Sequence, residues 1–144
     1  MANGSGGNRT LLSTGEDTSR EDAIARLLNP LRAPVTAAQG AAEARPLLAA
    51  IDAAAAARRP TIRTNVLARN AEAGFGLSGR TDTQTETALA ADAANTEYQR
   101  QSAIRQAMAD IAGRNQATIS STLDEERLRA DKEANKRRKF LGIF

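Results

Sequence analysis

Apolar positions recur every three or four residues along most of this chain, and prolines and glycines punctuate them, a spacing that predicts helices. Ile24, Leu27 and Leu28 share one face of a first short helix. Thr18-Ser-Arg-Glu21 offers it a capping box, and Asn29-Pro30 is expected to stop it. Pro30 and Pro34 then bracket a stiff connector. Thr36-Ala-Ala-Gln39 repeats the capping-box pattern and predicts a second helix reaching about Arg59. Gly40 weakens that helix, and Pro46 predicts a kink or break near Arg45. Beyond it Leu47, Leu48, Ile51, Ala54 and Ala55 form an apolar stripe, and Pro60 is expected to end the segment. The stretch from Thr61 to Leu67 fits two conformations. Its β-branched residues favour extended chain, whereas Ile62, Val66 and Arg69 fit one helical face.

The longest uninterrupted pattern is residues 81–139, with no proline and the single glycine Gly113. Unbroken, it makes a rod of about 85 to 90 Å, too long for one compact domain of this size, whose radius of gyration is about 14 to 15 Å. Its packing partners are therefore expected in other copies of the chain. Its first half carries Thr87, Ala90, Ala91, Ala94 and Tyr98 along a narrow, small-residue face, and its middle widens to Ile104, Met108, Ile111, Ile119 and Leu123. The interruption at Asn115 suits a bundle better than a regular two-stranded coiled coil. Ala90, Ala94, Tyr98, Ile104, Met108, Ile111, Ile119 and Leu123 are thus the expected oligomer interface. Gly113-Arg-Asn115 is either a register-setting step or a hinge.

Gly74-Phe-Gly-Leu-Ser-Gly79 has the letters of the dinucleotide fingerprint G-x-G-x-x-G, but the hydrophobic strand that must precede it is missing. It reads instead as a tight turn pivoting on Gly74, Gly76 and Gly79, with Phe75 and Leu77 tucked inward. Thr81, Thr83 and the box Thr83-Gln-Thr-Glu86 then offer caps for the long helix.

Composition reinforces the helical, non-catalytic reading. Hydrophobic residues make up 41% of the 144, but they are mostly alanine, and aromatics are 3%. Alanine forms helix well and buries little area, so a self-contained core is not expected. There is no cysteine and no histidine, which removes disulfides, thiolate metal sites, the usual general base and histidine-assisted nucleophiles. No enzyme activity, cofactor or metal is expected. All but three of the 20 basic residues are arginine, suited to carboxylate and phosphate alike. No apolar run has bilayer-spanning length and the first residues do not read as a signal peptide, so synthesis in the cytoplasm without a secretion address is expected.

The last part of the rod puts Asp124, Glu125, Glu126, Asp131 and Glu133 ahead of Lys136, Arg137, Arg138 and Lys139, complementing the helix dipole. Pairs Glu125–Arg129 and Glu133–Arg137 fall at i,i+4. Lys136 to Lys139 also form a candidate phosphate-binding patch. After them Phe140, Leu141, Ile143 and Phe144 make an apolar tail that either plugs a pocket on a partner or contacts a membrane surface. Residues 1–17, rich in Gly, Ser, Asn and Thr, read as a flexible arm with Leu11 and Leu12 as anchors.

Arg69-Asn-Ala-Glu-Ala-Gly-Phe-Gly-Leu-Ser-Gly79, a threonine-rich cap and a long Ala/Gln/Arg helix together resemble, over residues 69–119, the internal virion or DNA-ejection proteins of short-tailed bacteriophages. The resemblance is one of layout and composition. It implies a structural virion component, in rings or tubes of several copies beside portal or tail proteins, made in the host cytoplasm and meeting DNA or the host membrane during ejection. The expected architecture is all-α and extended: an arm (1–17), short capped helices (18–73), a glycine turn (74–80), a long helix (81–139) and an apolar tail (140–144). The alternatives are a helical protein that binds the DNA phosphate backbone and a neck or tail adaptor with no DNA role.

Overall fold

A computed structural model describes residues 14–75 and 79–142, and these are all-α. Among the described residues there are four helices: α1 (Thr14–Arg32), α2 (Ala37–Glu43), α3 (Arg45–Glu72) and α4 (Gly79–Phe140). The chain divides into two compact units. One is Val35–Ala112; the other joins Met1–Pro34 to Gly113–Phe144.

In the Val35–Ala112 unit the second capping box forms as expected. The Gln39 amide donates to Thr36 Oγ1 at 3.2 Å, and the Thr36 amide donates to Gln39 Oε1 at 2.9 Å. The break ahead of Pro46 falls at Ala44, which caps α2 and begins α3. Pro60, expected to end the segment, lies instead inside α3, and 61–67 are helical. Pro60 removes one amide donor, but contacts to α4 on both sides of it hold the helix: Arg58 before and Asn70 after. Tertiary packing therefore outweighs the local break.

The turn after α3 is a Schellman motif. Gly74 takes φ +82°, its amide donates to Ala71 O at 3.1 Å, and the Phe75 amide reaches Asn70 O at 2.7 Å. Phe75 is not tucked away. It is half exposed, with the Arg80 guanidinium 4.5 Å above its ring. Gly76 and Leu77 lie outside the described residues, and Gly79 opens α4. The expected start at Thr81 to Thr83 is thus late. The hydroxyls of Thr83, Thr85 and Thr87 donate to carbonyls four residues back, as threonines inside a helix do.

α4 packs on α2 and α3 through its smallest residues. The core here is Ala44, Ala55, Ala103 and Ala107, with Gly40 buried beside them. A Cβ on Gly40 would stand 2.5 Å from Met108 Cγ and 2.9 Å from the Ile104 carbonyl oxygen. Only glycine lets the two backbones come this close.

In the second unit, α1 begins at Thr14, so residues 14–17 of the expected arm are helical and Thr18 sits inside the helix instead of capping it. Residues 1–13, with Leu11 and Leu12, lie outside the described residues. α1 also runs two residues past Pro30 to Arg32. Leu28 is its anchor, 1% exposed, and Ile119 of α4 is buried in the same unit. Gly113 and Asn115 are helical positions within α4.

Candidate functional site

Polar contacts at three levels tie α3 to α4 in the Val35–Ala112 unit, and each step down α3 is a step up α4, so the helices run antiparallel. Nearest the turn, Asn70 Nδ2 donates to Thr81 Oγ1 at 3.0 Å, both residues being buried. Next, Arg58 Nε donates to Asp92 Oδ1 at 2.9 Å and its Nη2 to Thr96 Oγ1 at 3.3 Å. Farthest out, Arg100 pairs with Asp52. The hydrogen bond it donates to that carboxylate, then the carboxylate's charge, holds the Arg100 guanidinium above its usual pKa, with a smaller contribution from Glu97 at 3.8 Å. Every buried polar side-chain atom among the described residues has a hydrogen-bond partner. These carboxylates are thus engaged in holding the hairpin together.

The other unit has a counterpart of this ladder. Arg20 of α1 reaches Glu126 at 2.9 Å and Glu133 at 3.8 Å on α4. These residues, with Ile24, Leu123, Ala130 and Arg137, line an open groove of about 620 Å³. Arg129 reaches Glu126 at 3.5 Å, at i+3 instead of the expected i+4 partner Glu125, while Glu133 is drawn towards Arg20. Among the described residues, no cluster of three or more acidic side chains is placed to hold a metal ion, and no helix is long and apolar enough to cross a membrane. No family model, curated protein or solved structure matches the chain. The functional reading therefore rests on the chain's own surface.

The expected oligomer interface separates into two sets. Ala90, Ala94 and Tyr98 are exposed, Tyr98 at 70%. They lie on the far side of α4 from its packed face, which Thr81, Asp92, Thr96, Ala103 and Ala107 supply; Tyr98 is about 200° around the helix from buried Thr96. Ile104 and Met108, expected to face another copy, lie against Gly40 of the same chain. Ile111 is half-buried, Ile119 buried, and Leu123 lines the groove on α1. Apolarity alone pointed to the large residues, whereas the buried apolar positions described in this unit are alanines, with Ile104 and Met108 half-buried against Gly40. The signal that could have found this face is the small-residue spacing Gly40, Ala44 on one helix and Ala103, Ala107 on the other.

At the end of α4, Lys136, Arg137, Arg138 and Lys139 are exposed, and Phe140 and Leu141 are 92% and 69% exposed. With Lys136 and Arg137 they line a shallow recess of about 440 Å³. Ile143 and Phe144 lie outside the described residues.

Proposed function

We propose that the chain is a non-catalytic helical building block that assembles with further copies of itself, as an internal or ejection component at the portal–tail channel of a bacteriophage particle. The observation that carries the assembly reading is the outer surface of the α3–α4 hairpin. Within the hairpin the helices meet through glycine and alanine, which bury little area. Leu47 and Leu67 on α3 and Tyr98 on α4 remain exposed at 53%, 41% and 70%, beside exposed Ala90 and Ala94. Apolar side chains left over from so small a core are what a subunit presents to its neighbours. The phage setting rests on the resemblance over residues 69–119, and portal or tail proteins are the partners it implies.

The test is the sedimentation mass of the purified chain, alone and as A94R/Y98R. The expected result is a multimer that persists at high salt and dissociates on the double substitution with its helical content retained. A folded monomer at micromolar concentration would sink the proposal. The phage setting has its own check: the protein is expected in DNA-filled particles and depleted from particles that have ejected their DNA.

A further inference from the structure

We propose that the end of α4 docks, along the helix axis, on an anionic lipid surface. The proposal needs only the last turns of α4 and is independent of the assembly reading. Lys136, Arg137, Arg138 and Lys139 are consecutive helical residues, so they step around the axis by about 100° each and form a complete collar within a rise of about 4.5 Å. All four are exposed. One residue later the helix stops: the Leu141 amide donates to Arg137 O at 3.0 Å, the Gly142 amide to Lys139 O at 3.3 Å, and Gly142 takes φ +67°. Just past the collar, Phe140 and Leu141 stand in solvent.

Cations in a last turn complement the helix dipole. That accounts for some of the collar and for none of the exposed phenylalanine. A DNA duplex meeting the helix would contact one side of the collar, leaving the opposite cations unused and Phe140 in water. A planar bilayer approached along the axis uses both features. The collar lies at the phosphate layer with its aliphatic stems reaching inward, and the Phe140–Leu141 tip enters the headgroup–acyl boundary. The Phe140–Leu141 pair by itself binds weakly to a neutral membrane, and the cations supply the remainder only where the headgroups are anionic.

The experiment is co-sedimentation of the full chain with vesicles of equimolar phosphatidylglycerol and phosphatidylcholine, and with phosphatidylcholine alone. Binding is expected to the first set only and to weaken with salt. At about fivefold per cation, K136Q/R137Q/R138Q/K139Q is expected to lose about a hundredfold or more in affinity. Burial of the aromatic ring and its neighbour makes the loss in F140S/L141S about tenfold or more. All these side chains are exposed, so circular dichroism is expected to show the fold unchanged. Equal binding to neutral vesicles, or full affinity in F140S/L141S, would overturn the proposal, the second by leaving a bare polyanion site. A second readout uses F140W: its emission is expected to shift to the blue with the anionic vesicles and to stay put with duplex DNA. A shift with DNA and none with vesicles would overturn it too.

Discussion

Replacing Gly40 by alanine separates the intrinsic helix preference of this chain from the packing that only its folded form imposes. In an isolated helix the change is favourable by about 1 kcal/mol, because glycine gives up more backbone freedom than alanine. In the folded hairpin the new methyl would stand 2.5 Å from Met108 Cγ, 2.9 Å from Ile104 O and 3.2 Å from Ile104 Cγ2. Met108 can swing aside. The Ile104 carbonyl belongs to the backbone of α4, so restoring an ordinary carbon–oxygen separation means moving one helix away from the other by a few tenths of an ångström. Overpacking of this kind costs about 1 to 3 kcal/mol. Set against the propensity gain, G40A is expected to be destabilised by up to about 2 kcal/mol. Gly113, also helical, is the internal control, since a Cβ there meets nothing within 4 Å. G113A is expected to be stabilised by about 0.5 to 1 kcal/mol. The assay is urea unfolding of both variants followed by circular dichroism, with the shift in midpoint read at constant slope. The reasoning fails if G40A is stabilised as much as G113A, because α2 would then not approach α4 as closely as Gly40 allows.

Two further predictions concern the two units separately. L28A empties the most buried large side chain of α1 and is expected to cost about 2 to 5 kcal/mol; amide exchange should quicken in α1 while 45–72 stay protected. R58A leaves Asp92, whose side chain is only 15% exposed, without its cation, at a cost of about 1 to 3 kcal/mol. A double-mutant cycle with D92A is expected to give a coupling of about 1 kcal/mol that changes little with salt. A coupling indistinguishable from zero would remove the ion pair from the forces holding the hairpin.

Local chemistry that needs only neighbours in the chain was legible from the residues. The Thr36–Gln39 box, the break before Pro46, the glycine turn at Gly74 and the helical nature of 81–139 each depend on a few adjacent residues. The first two and the helix appear as read; of the glycine turn, Gly74 has the expected role, whereas Phe75 is exposed and Gly79 is already helical.

The errors lie where a distant partner decides. Pro60 breaks a helix by a local rule, yet α3 continues because Arg58 and Asn70 bind α4 on either side of it. Ile104 and Met108, expected to face another copy, lie half-buried against Gly40, more than sixty positions earlier in the chain. Thr81 and Thr83 have the right side chains for helix caps, but Thr81 is held by Asn70 and Thr83 by its own helix. By itself, then, the sequence determined that the chain is helical, where most of its turns fall and which groups are absent from its chemistry. Tertiary structure alone decided which face of each helix is inward. Helical periodicity defines a stripe, but alanine is too small and too common here to mark which stripe is the buried one. The choice was made by the glycine that permits contact and by the three polar pairs that align α3 with α4.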